Sequence, residues 1–423
     1  MLSRELYKGD SFECTFVPSM HKDIVTMTGA LALPVSEYVG DESVVFDLYA
    51  ALLIKGTTHL TKMQIAEKCE SIGASLSFQA HKRYLVWRMS CLRDDVHNML
   101  ELLTTILAEP TFPESEWQLL QRQILTQLRE DSNDPEAQAD IHLNQAFFSK
   151  DHPNFIHSTR EQIAAMEAFS VDVCHRLHAF MRQQPIVCVA VGDLPVAELK
   201  STMSRLWHGR HGTPPPCPQV PLCATTSRSY VMEMVDKPSI VCLWGKALPF
   251  DITHPDYWPL RLGIDILGGG GFNSRLMSTV REQSGLTYRI YSTIKDMELG
   301  LQGYMVTYAS FGQEQVEQGV RETREQIDLW VQQGIHEEEL ALKKQTLLNR
   351  QAMTWSKTSA IAGTILYGLM NGYGHDYIDH FSRLVSDVTL SQVNEALKRW
   401  CQPDGIQLVV AGSVPESMKS LSE

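Results

Sequence analysis

The chain has 423 residues, 43% hydrophobic and 21% charged, a globular composition too long for one ordinary core, so two domains are expected. A net charge of −13 opposes non-specific binding to a phosphate backbone, and no apolar run approaches the roughly 18 residues of a membrane span, which sets aside nucleic acid and bilayer as partners. Nine cysteines with no Cys-x-x-Cys pair fit free thiols in a reducing compartment, and the opening MLSRELYKGDSFECTF lacks the basic start and apolar run of a secretory signal, so a cytoplasmic location is expected.

From the N-terminus, VTMTGALALP (25–34) predicts a strand closed by a proline, and VVFDLYAALLI (44–54) an apolar helix ending at Gly56. TKMQIAEKCESIGASLSF (61–78) predicts a short helix, a glycine just past its end and a strand. ELLTTILAEPTFPESEWQLLQRQIL (101–125) has apolar residues at helical spacing on either side of a break, and VCVAVGDLP (187–195) is a buried strand and turn. WHGRHGTPPPCPQVPLCATTSR (207–228) follows, and its three consecutive prolines exclude both helix and internal strand.

Beyond this linker the same events recur in the same order. VCLWGKALP (241–249), LRLGIDIL (260–267), SRLMSTVREQSGLTYRIYS (274–292), EQIDLWVQQGIHEEELALKKQTLL (325–348) and LVVAGSVP (408–415) match the five landmarks of the first half. That pattern implies an internal duplication, with domains at 1–206 and 229–423 joined by the linker 207–228. Strands and helices are mixed without regular alternation, so each half reads as α+β and not as a doubly wound parallel sheet. The glycine loop GGGGFNSRL (268–276) has no following Gly-Lys-Ser/Thr, which excludes a P-loop and leaves flexibility as its expected property.

IKGT (54–57), CESIGAS (69–75), DSNDP (131–135), VAVGDLP (189–195), the glycine loop, VREQSGLTY (280–288) and the closing VTLSQVNEALKRW (388–400) stand in an order and spacing that carry a resemblance. The chain resembles the pitrilysin/insulinase family of inverted-zincin metallopeptidases in its short two-domain bacterial form. The resemblance implies two homologous α/β-sandwich domains of the pitrilysin/LuxS-like metallohydrolase fold. It also implies a zinc motif, His-x-x-Glu-His, on the helix before the Lys-Gly-Thr turn, with a later glutamate as third protein ligand.

Counted back from Lys55-Gly56-Thr57, that pentad falls on Asp47, Leu48, Tyr49, Ala50 and Ala51, while the third ligand is expected within LLQRQILTQLRED (119–131), where the favoured register places it on Gln127. Both histidines and the general base are absent, and a neutral amide is a poor zinc ligand, so no cofactor is expected in this chain. Two other groups could be read as metal ligands: Cys174, His175 and His178, and His375, Asp376, Asp379 and His380. Packing or surface roles are the expectation for both.

The family's other active-site mark, an Arg seven residues before a Tyr across a helix-to-strand corner, is present as Arg281 and Tyr288. The residues at the matching positions of the first half are Cys69 and Leu76, so the repeat itself does not require the pair. The resemblance therefore implies a non-metal subunit of a heteromeric zinc peptidase, with Arg281 and Tyr288 supplied in trans to a homologous partner carrying an intact His-x-x-Glu-His and the zinc. Its substrate would be a peptide or unfolded polypeptide bound in extended form. The alternative expectation is a catalytically inactive scaffold or peptide-binding subunit.

Overall fold

The computed structural model describes residues 3–19, 23–35, 44–223, 226–269 and 274–422. Residues 270–273, the middle of the glycine loop, lie outside them. The fold is α+β with two sheets, and the chain forms two compact units. Unit 1 comprises Met1–Thr126, Glu161–Pro218 and Gln351–Phe381, and unit 2 comprises Gln127–Arg160, Gln219–Arg350 and Ser382–Glu423.

The sheet of unit 1 contains β1 (Glu5–Lys8), β2 (Phe12–Pro18), β3 (Ile24–Ala32), β4 (Ser75–His81), β5 (Tyr84–Leu92) and β6 (Ile186–Gly192), in the order β1-β2-β6-β3-β5-β4. Only β2 and β6 run parallel. The sheet of unit 2 contains β7 (Arg228–Glu233), β8 (Ser239–Leu248), β9 (Thr287–Lys295), β10 (Gly303–Gly312) and β11 (Gln407–Gly412), in the order β7-β11-β8-β10-β9, again with one parallel pair, β7 and β11. β2, β6, β3, β5 and β4 thus correspond one to one with β7, β11, β8, β10 and β9, and the duplication is visible in strand order and direction alike.

Apolar residues face both sides of each sheet, so each needs a layer on both sides. In unit 1 one face packs on a large core that includes Phe16, Trp87, Leu103 and Trp207, with the helix Val44–Leu52 among its layers. The other face, Val17, Ala30, Val86, Val189 and Val191, is covered by Ile361, Ala362, Ile365 and Leu366 of the helix Thr358–Met370. In unit 2 Val241, Leu243, Tyr304, Val306, Tyr308 and Val409 meet Ala139, Leu143 and Phe147 of the helix Pro135–Phe147.

These two helices are exchanged. Pro135–Phe147 lies in the first half of the sequence and completes unit 2, whereas Thr358–Met370 lies in the second half and completes unit 1. The boundaries expected from the repeat, 1–206 and 229–423, follow the chain, while the compact units follow the packing.

Local sequence explains the helix ends. Thr61 with Gln64, and Thr389 with Gln392, form reciprocal capping boxes that satisfy two otherwise orphaned donors each. Asp134 caps the helix that Pro135 opens, where the missing proline N–H costs nothing. Gly73 and Gly285, which end corresponding helices, both have φ +65°, the left-handed conformation that glycine adopts without strain.

Candidate functional site

The helix Val44–Leu52 buries Val45, Phe46, Leu48, Tyr49, Ala50 and Leu52. Ala50 therefore serves packing, and of the three positions that the motif's histidines and glutamate would fill, Asp47, Ala50 and Ala51, Asp47 alone has a ligand atom. Its side chain reaches the surface, and partial desolvation by its surroundings raises its pKa. Gln127 donates its amide to the Asp131 carboxylate one turn along the same helix, at 2.8 Å. Among the described residues no group of three or more His, Cys, Asp or Glu is arranged to hold a metal ion. One carboxylate, two alanines and an engaged amide do not fit zinc.

Tyr49, in the middle of the degenerate pentad, is fully buried and meets His178 Nδ1 at 2.9 Å. His178 Nε2 lies 3.2 Å from the Ala108 carbonyl, which only accepts, so Nε2 carries the proton and Nδ1 accepts from the Tyr49 hydroxyl. Burial lowers the His178 pKa to about 4. Cys174, also buried, has its thiol pushed up to about 12, and His175 stands edge-on to Phe112. In the second group Asp379 pairs with Arg4, and His380 and Asp376 sit 3.5 Å apart. Both groups are tied into packing and local pairs.

Arg281 and Tyr288 lie in unit 2 at the corner expected from the sequence, with one difference. The helix Met277–Gln283 is a π-helix, in which the Ser284 N–H reaches back five residues to the Thr279 carbonyl. Such wide turns are uncommon and recur at functional sites. The Gly285 N–H returns to the Arg281 carbonyl at 3.1 Å, and the chain turns into β9. Tyr288 is 86% exposed, unusual for a large aromatic side chain, and the Arg281 guanidinium carbon lies 5.1 Å from its ring centroid. A cation stacked on the ring restrains both side chains by about 0.5–1 kcal/mol at an exposed site.

Tyr288 also lines a depression of about 510 Å³ with Pro238, Leu286, Phe311 and Gln315. A phenolic hydroxyl and a five-donor guanidinium beside an open hollow suit an incoming carbonyl oxygen.

Sequence reasoning missed the residues that hold the strand behind Tyr288. Arg289 bonds Glu136 at 2.9 Å and lies over the Tyr308 ring, 4.5 Å from its centroid, while Tyr308 stacks on Tyr291 at 5.1 Å. Burial, with Glu136 beside it, pushes the Tyr308 phenol up to about 12. Lys295, at the far end of β9, bonds both oxygens of Asp140 at 2.8 Å. Two ion pairs thus strap β9 to the helix Pro135–Phe147. The available signal was the i, i+4 spacing of Glu136 and Asp140 just after the quoted DSNDP.

Two family models match the chain. The family model described as the peptidase M16 inactive domain matches residues 172–347, and that of insulinase, peptidase family M16, matches residues 48–158. The chain belongs to the pitrilysin/insulinase family.

Within this family, an uncharacterised zinc protease of Mycobacterium tuberculosis is 24% identical over 361 residues, 81% of this chain and 78% of that one. The non-peptidase homolog YmxG of Helicobacter pylori is 22% identical over 356 residues, 83% of this chain and 80% of that one. Among solved structures, a peptidase M16 inactive domain from Pseudomonas fluorescens aligns with a TM-score of 0.84 at 22% identity, over 98% of this chain and 99% of that one. A protease from Helicobacter pylori aligns with the same TM-score at 13% identity, over 97% and 99%. At these identities the structures carry the fold. Among the described residues no helix is long and apolar enough to cross a membrane.

Proposed function

We propose that this chain is the non-metal subunit of a heteromeric pitrilysin-family zinc peptidase, binding no zinc itself and supplying Arg281 and Tyr288 in trans to a homologous partner with an intact His-x-x-Glu-His. The observation that carries the reading is an asymmetry. The zinc-motif positions hold a buried Ala50, a half-buried Ala51, an exposed lone aspartate and an engaged glutamine, while Arg281 and Tyr288 form a stacked, outward-facing donor pair beside a hollow.

When water attacks a peptide carbonyl, its oxygen gains negative charge, and donors already aimed at that oxygen stabilise the transition state more than the ground state. The Tyr288 hydroxyl and the Arg281 guanidinium are such donors. Hydrolysis also needs a nucleophile, which the partner's metal-bound water provides. The substrate is a peptide or unfolded segment lying extended along a sheet edge, where main-chain hydrogen bonds supply affinity without strict sequence preference.

The test is reconstitution with the zinc-bearing partner. Arg281→Ala and Tyr288→Phe are each expected to lower kcat/KM by about 10²–10³-fold, the usual effect of removing one oxyanion donor. The isolated chain should bind no stoichiometric zinc and cleave no peptide. Unchanged kcat/KM in both variants would remove the in-trans role. The kinship with a protein named a non-peptidase homolog favours one alternative, a peptide-binding scaffold. That reading predicts saturable peptide binding by the assembly with no turnover that depends on Arg281.

A further inference from the structure

We propose that Thr287 is a positioning residue that turns Tyr288 out of the sheet core and into the open, by pinning a β-bulge that the first half of the molecule lacks. The proposal rests on the functional reading only in treating Tyr288 as a substrate-facing group; the direction of the side chain is measurable without any activity.

The duplication supplies an internal control. Gly73 and Gly285 share a φ of +65° at the same corner, so Ser75-Leu76-Ser77 of β4 corresponds to Thr287-Tyr288-Arg289 of β9. β4 pairs with β5 residue for residue, Ser75 with Ser90, Leu76 with Met89 and Ser77 with Arg88. Leu76 accordingly points inward and packs against the unit 1 core.

β9 does not keep this register. Ile290 faces Ala309 and Thr287 faces Phe311, so Tyr288 and Arg289 together oppose Ser310 alone. Exposure follows the slip: Thr287 and Ile290 are buried, and the two residues between them are exposed. Side chains alternate strictly along a regular strand, so without the extra residue Tyr288 would share the buried face with Ile290, as Leu76 does with Phe78. The bulge reverses it, a known use of bulges beside functional sites.

A bulge leaves backbone groups without ladder partners, and here one hydroxyl serves them. Thr287 Oγ1 donates to the Ser310 carbonyl at 2.5 Å and accepts the Arg289 N–H at 3.2 Å. Arg289, the second bulged residue, is held outward by Glu136. Ser75, the counterpart of Thr287, is exposed on a regular strand.

The experiment is tyrosine nitration of the full chain, read peptide by peptide by mass spectrometry, in wild type, Thr287→Val and Thr287→Ser, with near-UV circular dichroism to confirm the fold. In wild type Tyr288 should react about tenfold faster than the buried Tyr304; a protected Tyr288 would overturn the proposal without any variant. Thr287→Val should slow nitration of Tyr288 about fivefold, and Thr287→Ser, which keeps the hydroxyl, should restore it. If valine prevents folding, Thr287→Ala removes the hydroxyl without the bulk and takes its place. A folded hydroxyl-free variant nitrated at the wild-type rate rules the role out. In the reconstituted pair the same variant should lose about 100-fold in kcat/KM. Slowed nitration with intact turnover would leave Thr287's role standing and count against the in-trans reading.

Discussion

Tyr49 and His178 show what occupies the degenerate pentad. Their hydrogen bond and that to the Ala108 carbonyl fix the ring, and burial keeps the imidazole neutral, bringing its pKa from the ordinary 6.5 down to about 4 although the Ala108 carbonyl by itself favours the protonated form. The sign of the linkage follows. As pH falls from 6.5 toward 4, the unfolded chain takes up a proton that the folded chain refuses, so stability declines through that window and levels off below it. His178→Gln, whose amide can make both bonds, should show a smaller drop in urea midpoint between pH 7 and pH 5 than wild type. His81 and His142, also lowered by burial, are common to both proteins and cancel in the comparison. Equal drops would show that His178 titrates normally.

The residues at this scale were partly legible in the sequence. Asp47, Ala50 and Ala51 follow by counting from the Lys-Gly-Thr turn, because motif spacing is a local property, whereas Gln127 rests on a register chosen within a separate helix. The tie from Tyr49 to His178 joins residues 129 apart in sequence, and no local pattern encodes it.

Among the elements, the helix-to-strand corner is the best-specified. Gly73 and Gly285 have nothing within 4 Å of where a Cβ would stand, so an alanine would meet only the backbone strain of its left-handed conformation. Gly73→Ala and Gly285→Ala should therefore each cost about 1 kcal/mol, with little structural change. Equilibrium urea unfolding would measure it, and losses above several kcal/mol would mean that a contact had been broken instead. Both glycines were readable as helix ends, since a glycine just past a periodic apolar segment has a local cause. The π-helical winding before Gly285 and the bulge after it were not. The first needs a hydrogen bond one residue longer than an ordinary helical one, which apolar spacing does not reveal, and the second depends on a register with β10.

The exchanged helices make a sharper prediction. Leu143 is fully buried, and its methyl groups lie within 2.7 Å of where a Cβ on Gly245 would stand. Leu143→Ala leaves a cavity under the unit 2 sheet and should cost about 2–5 kcal/mol. Hydrogen exchange should place the lost protection in β7–β11, although residue 143 belongs to the first half of the sequence. Loss confined to β1–β6 would contradict the packing described above.

At the level of the whole molecule, the duplication was legible because five landmarks recur in order, and the strand correspondence between the two sheets repeats it. The exchange was not legible: two equivalent helices in a duplicated sequence look alike whether each covers its own sheet or the other's. The strand β1 is a further departure, present at the edge of the unit 1 sheet with no counterpart among the described residues of unit 2. Severing the chain in the linker 207–228 tests the exchange. Each fragment lacks one covering helix, so neither alone should give a cooperative urea transition, and mixing the two should restore both sheets.

The exchange also bears on how the protein is made. All six strands of the first sheet have left the ribosome once residue 192 is out, yet Ile361, Ala362, Ile365 and Leu366 emerge only much later. Until then Val17, Ala30, Val86, Val189 and Val191 present a bare apolar surface on the nascent polypeptide. Ribosome-bound chains arrested before residue 358 should be protease-sensitive throughout β1–β6, and those arrested well past residue 370 resistant, so the molecule's first sheet matures only after much of the second half has been translated.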